Sequence, residues 1–199
     1  MAELPGIRLA EQLCESLLPE ADMEALLLRA VMAHGVSDVL VASHTLSLRM
    51  DEMAAPVTLH RMTSPLAEAA RLTCTHHIGV LAQPPALSHP RMQAQLGLFA
   101  ERGLKITTLP VPELTYMAHR YQTGGRLPDL ATLRDMMAPI RADARIDTVV
   151  LATSSAYPLR GMLEKAAFRP FYWVDGATAA ARRYKALQVE SEKIVSLRS

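Results

Sequence analysis

Apolar residues recur along the chain at two spacings, and their order sets out an α/β protein. Over residues 6–34 they fall at helical spacing: Leu9, Leu13 and Leu17, then Met23, Leu26, Leu27, Ala30 and Val31. Pro19 divides this stretch into two helices, because a proline disfavours helical backbone in the residue before it. Residues 36–42 (VSDVLVA) read as a first strand, 46–53 as a short helix and 57–61 as a second strand. Residues 65–73 form an amphipathic pattern with Pro65 in the first turn, a position that tolerates its missing N–H. HIGVLA at 77–82 is a buried strand, followed by a turn at 83–88 rich in proline and small residues. Residues 91–102 predict a helix closed by Gly103, which readily takes the left-handed C-cap conformation. A strand at 105–109, a helix at 113–121 and one continuous helix at 130–142 come next. TVVL at 148–151 has no polar alternation, as expected of a strand covered on both faces. A helix at 159–167, a strand at 171–174 and a helix at 177–187 complete the pattern. Strands alternating with helices of this length predict a mostly parallel sheet.

Composition narrows the function classes. Half of the 199 residues are apolar, so the chain can bury a sizeable core. Twenty-one Lys and Arg against twenty Asp and Glu leave a net charge of +1, and no basic run stands out. Neither nucleic acid nor a membrane is expected as a partner. The two cysteines, Cys14 and Cys74, have no metal spacing, and there is no leader-like N-terminus. The expectation is a soluble cytoplasmic protein without a metal or cofactor.

Four passages in sequence order carry a resemblance: VLVASHTLS at 39–47, HIGVLAQPPAL at 77–87, TVVLATSSAYPL at 148–159 and VDGATAAARR at 174–183. Together the chain resembles the aspartate/glutamate racemase superfamily, in which one strand ends in A-C-N-T and another in G-C-T-H-Y-P. The resemblance implies two pseudo-symmetric flavodoxin-like halves facing each other over a small carboxylate or amino-acid ligand, here with the N-terminal half truncated. The corresponding division is residues 1–75, 76–187 and a polar tail at 188–199. Ser43 stands where the family has its first cysteine, followed by His44 and Thr45. At the second motif, counting back from Tyr157 places Ser154 at the cysteine, and counting forward from Leu151 places Thr153 there. Gln83 and Ala86 take positions where the family has threonines.

The family's reaction removes a proton α to a carboxylate with one thiolate and returns it from the other face with a second thiol. A cysteine suits this role because its ordinary pKa is near 8.5, whereas an alcohol needs a neighbouring base. Ser43, Ser154 and His44 are the candidate catalytic positions, and Thr45, Thr153 and Ser155 the candidate ligand-binding ones. Hydroxyl residues at strand ends equally serve as helix N-caps. His119 reads as a surface helix residue, Cys14 as core, and Asp175 as either an N-cap or a pocket residue. Cys74-Thr75-His76-His77 imitates the family motif but precedes its strand, at the end of the sheet opposite a ligand site. The leading expectation is a racemase-like protein without the two thiols, acting in binding, regulation or assembly. The alternative is an active racemase, isomerase or lyase using an altered Ser/His mechanism. The shortened first half predicts an open sheet edge, hence a homodimer or a protein partner covering it.

Overall fold

The computed structural model describes residues 64–176 without a break, the strands Asp38–Val41 and Thr58–Arg61, and isolated helical positions at 25, 32, 47–48, 178, 181–182 and 184–186. The helices expected within 6–34 and most of the one at 46–53 lie outside the described residues, as does Cys14.

Among the described residues, six strands form two sheets. β1 (Asp38–Val41) pairs in parallel with β2 (Thr58–Arg61). The other four, β3 (His77–Ala82), β4 (Lys105–Pro110), β5 (Thr148–Leu151) and β6 (Tyr172–Asp175), form a fully parallel sheet in the order β4-β3-β5-β6. This is a flavodoxin-like arrangement, in which the chain winds one way from β3 to β4 and the other way from β5 to β6. The α/β class and the parallel sheet expected from the sequence are both present.

Burial explains the lack of alternation in β5. All four of its residues are buried, yet Val149 and Leu151 enter one core cluster while Val150 joins another. The first cluster takes Leu114 and Ala118 from α4 (Pro112–Gln122), Leu133 from α5 (Leu130–Met136), Ile140 from α6 (Ala138–Ala142), and Leu163 and Ala166 from α7 (Arg160–Ala167). The second takes Leu66 and Ala69 from α1 (Pro65–Leu72), Ala86 from α2 (Pro84–Ser88), and Met92 and Phe99 from α3 (Pro90–Glu101). Successive strand side chains point to opposite faces, so one short apolar run supplies both layers.

Two sequence expectations are corrected. The turn at 83–88 is the short helix α2, because Pro84 and Pro85 occupy its first turn and the Leu87 N–H reaches the Gln83 carbonyl at 3.0 Å. The helix at 130–142 is two helices meeting at Met137. Pro139 has no N–H to give Asp135 and its ring collides with that carbonyl, so helical bonding stops at Met137 and restarts. Gly103 does end α3 with a left-handed backbone, φ 86°.

One carboxylate organises the amino end of the sheet. Asp147, just before β5, accepts the Thr73 hydroxyl at 2.6 Å, the Cys74 N–H at 2.7 Å, the Thr75 N–H at 3.0 Å and the Thr148 hydroxyl at 2.9 Å. These bonds fasten the turn between α1 and β3. Partial burial pushes the carboxyl up, but the bonds from Thr73, Cys74, Thr148 and Thr75 outweigh it and hold Asp147 at about 2.

Two outcomes are expected. Asp147→Asn destabilises the protein by about 1–3 kcal/mol, the cost of losing hydrogen bonds to a charged acceptor. Because the folded-state value lies below the ordinary 3.8, this contribution is fully present above pH 4 and fades as pH falls toward 2. Denaturant melts of wild type and variant should therefore converge on acidification. Separately, a Cβ on Gly79 falls 2.7 Å from Ile140 Cδ1 and 3.3 Å from its Cγ2. Gly79→Ala therefore costs about 1–3 kcal/mol by overpacking, and adding Ile140→Val, which deletes Cδ1, recovers part of it in a double-mutant cycle.

Candidate functional site

In open parallel sheets, ligands bind beyond the carboxyl ends of the strands, in the crevice where the winding reverses. Here that switch point lies between β3 and β5. Leu81 pairs with Leu151 and with Leu109, so two residues further on the register brings Gln83, Thr153 and Val111 level with one another. The side chains confirm the juxtaposition. Gln83 Nε2 donates to the Val111 carbonyl at 3.0 Å and to Thr115 Oγ1 at 2.6 Å, and Thr115 Oγ1 lies 3.4 Å from Thr153 Oγ1. Thr153 is 3% exposed. A partly buried polar cluster therefore bridges the carboxyl ends of β3, β4 and β5.

Next to it, beyond β6, is a second network. Asp175 is buried and accepts the Thr178 N–H at 2.7 Å and the Thr178 hydroxyl at 2.9 Å. That is the geometry of an N-cap whose side chain reaches the third residue of the helix. Its Oδ2 also accepts from Arg160 at 2.5 Å, while Arg160 Nε donates to Glu164 at 2.9 Å. Asp175 thus fills the capping role foreseen for it and also anchors Arg160. A shallow depression of about 300 Å³ lies beside β6, lined by Arg160, Glu164, Arg169, Pro170, Phe171 and Trp173. It includes none of Gln83, Thr115 or Thr153, and we place the candidate site at the switch point, where register and topology converge.

Of the positions singled out in the sequence, Thr153 is at this edge and buried in the polar cluster. Ser154 and Ser155 open the 3-10 turn Ser154–Leu159, and their side chains are not among those described. Ser43, His44 and Thr45 lie outside the described residues. His119 is exposed on α4. Cys74 is exposed in the turn before β3, at the amino end of the sheet. His77 opens β3 with its Nδ1 3.8 Å from Asp143 Oδ2. Among the described residues, no group of three His, Cys, Asp or Glu side chains has the placement of a metal site, and no helix is long and apolar enough to cross a membrane.

Thr115 and Arg160 are at the site but were not singled out in the sequence. Each belongs to an ordinary helical pattern and reaches the edge only because its helix starts there. The one available signal was position, since both stand within the first turn of a helix that follows a parallel strand.

The Asp175 network predicts a stability effect distinct from any ligand effect. Asp175→Ala removes an N-cap and leaves Arg160 with Glu164 alone, a loss of about 2–4 kcal/mol. Asp175→Asn, which keeps a capping oxygen, should lose less, and thermal melts of the two variants would separate the cap from the ion pair.

No protein-family model matches the chain, and no curated protein matches it. Solved structures do. Escherichia coli glutamate racemase, in complex with L-glutamate and the activator UDP-MurNAc-ala, matches with a TM-score of 0.74 at 23% identity, over 89% of this chain and 69% of that one. Glutamate racemase from Francisella tularensis, in complex with D-glutamate, gives 0.67 at 13% identity, over 91% and 69%. A Bacillus anthracis glutamate racemase gives 0.66 at 18%, over 86% and 66%. The chain spans about two thirds of the length of these structures. From its parallel sheet, its strand order and these matches, the chain has the fold of the glutamate racemases.

Proposed function

We propose that this chain is an aspartate/glutamate racemase superfamily protein that binds a small amino acid or carboxylate at the carboxyl edge of its sheet and performs no two-thiol proton transfer. On this reading it is a binding, regulatory or assembly component. The observation that carries it is Thr153. At the strand end where the resemblance places a catalytic thiol, the chain has a buried hydroxyl within a polar cluster, with Ser154 next to it. Proton abstraction α to a carboxylate needs a base whose pKa lies near working pH. An alcohol meets that need only with a partner base; Thr115, 3.4 Å from Thr153 Oγ1, and Gln83, bonded to Thr115, are neutral. The described cysteine, Cys74, sits at the opposite end of the sheet.

Hydroxyls and a fixed amide still make a good polar lining. Ser43, His44 and Thr45 from the first half, with Thr153, Ser154 and Ser155 from the second, are the residues proposed to face the ligand.

The test is α-proton exchange followed by NMR in deuterated water, with both enantiomers of aspartate and glutamate. The wild type should leave the α-proton signal unchanged while still broadening or shifting ligand resonances. Ser43→Cys/Ser154→Cys and Ser43→Cys/Thr153→Cys proteins, run alongside, should show exchange in whichever pair restores two opposed thiols. Exchange by the wild type would overturn the proposal and direct attention to His44 as the base.

A further inference from the structure

Three arginines at the amino end of the sheet carry charge that no carboxylate neutralises. Arg134 on α5, Arg141 on α6 and Arg169 between α7 and β6 form no ion pair among the described residues. The acids near them in sequence are engaged elsewhere or turned away. Asp143 is held by Arg145 at 2.9 Å, Glu164 by Arg160 at 2.9 Å, and Asp135, the helical neighbour of Arg134, makes no ion pair with it. Arg169 donates to the Asp143 carbonyl at 2.7 Å, and Asp143 Oδ2 lies 3.8 Å from Nδ1 of His77, the first residue of β3. The cluster is therefore at the end of the sheet opposite the candidate site.

Phe168 gathers these arginines. It follows α7 with a left-handed backbone, φ 60°, which a residue with a Cβ adopts only at a cost, and its side chain is 63% exposed. Burial thus gives no reason for a large apolar residue here. The Arg134 guanidinium stands 4.0 Å from the ring centroid and that of Arg141 5.2 Å, so their carbons are at most 9.2 Å apart, the sum of the two distances. Most of their hydrogen-bonding capacity is unspent among the described residues. Arg141 uses only Nη1, on the Arg134 carbonyl at 3.4 Å. The Arg134 side chain makes no hydrogen bond; its Nε is buried and unpartnered, while its terminal nitrogens are open to solvent. Arg169 differs. It spends Nη1 on the Ala144 carbonyl and Nη2 on those of Asp143 and Ile140, which fixes its charge beside the other two and against the Phe171 ring at 4.4 Å.

We propose that Arg134 and Arg141, ordered over Phe168 and reinforced by the charge of Arg169, form a phosphate-binding site, for inorganic phosphate or the phosphate group of a small monoester. A carboxylate has two oxygens and is satisfied by one guanidinium fork. A phosphate has three or more acceptors and bonds two forks at once, each at about 2.7–2.9 Å, which spans the gap between these two guanidiniums. The ring explains the strained position of Phe168: by cation–π contact it holds together two like-charged side chains that would otherwise swing apart.

The experiment is calorimetric titration of the full chain with inorganic phosphate and with methyl phosphate, at constant ionic strength in chloride and at a pH of about 8, where both are dianions. The wild type should bind saturably, with one phosphate per chain. Arg134→Gln and Arg141→Lys should each weaken binding by about tenfold or more, the second because an ammonium keeps the charge but not the fork. Phe168→Gly suits the left-handed backbone and should stay folded in thermal melts, yet bind about threefold or more weakly. Lys105→Gln, which removes an exposed charge at the same end of the sheet, should bind as the wild type does. Where Arg134→Gln does not fold, Arg141→Lys and Phe168→Gly carry the same test. Tighter binding of methyl phosphate would assign the site to a monoester, and tighter binding of inorganic phosphate to the free ion. No saturable binding of either by the wild type, wild-type affinity in the folded arginine variants, or an equal loss in Lys105→Gln would overturn the proposal.

Discussion

Everything at the candidate site depends on the pairing of β3 with β5. Both strands are buried on two faces, so neither can shift by one residue without carrying its apolar side chains into the wrong layer. Parallel pairing brings their carboxyl ends out at one edge. The chain then leaves in opposite directions, toward β4 and toward β6, which makes this edge the switch point, where such sheets bind ligands. The residue two places beyond each paired leucine, Gln83 on one strand and Thr153 on the other, is set beside that switch point by register alone.

Two buried or half-buried carboxylates mark the two ends of the sheet, and they do different work. Asp147 at the amino end accepts the Thr73 hydroxyl and two backbone amides from the turn before β3, and the hydroxyl of Thr148 beside it. It holds the connection between α1 and β3 in place. Asp175 at the carboxyl end caps the helix that follows β6 and gathers Arg160. That arrangement pairs the Arg160 cation at the edge, and among the described residues Gln83, Thr115 and Thr153 supply the hydrogen bonding at the switch point. The ion pair between Arg182 and Glu68 also joins the helix following β6 to α1, so the capped helix is held from both sides.

A fold can outlast the chemistry first associated with it, because the two make separate demands. The sheet requires apolar residues at alternating depth and glycine where a strand meets a helix closely, as at Gly79 against Ile140. Two-base proton transfer requires titratable groups placed on opposite sides of one carbon. Loss of the second set would leave the first untouched.

The sequence by itself determined the strands and most helices, since buried strands must be apolar throughout and α1, α3 and α4 carry clear amphipathic or capping signals. HIGVLA and TVVL were legible to the residue because nothing polar interrupts them. It missed α2 and the break at Met137, where proline acts through geometry in opposite senses, starting one helix and ending another. The site was legible only as hydroxyls at strand ends. Tertiary structure decided the rest: that Gln83 sits level with Val111 and Thr153, that Thr115 arrives from another helix, and that Arg160 is claimed by Asp175. These partners are 15 to 38 residues apart, and such contacts arise from strand order and register, which no local pattern of hydrophobicity encodes.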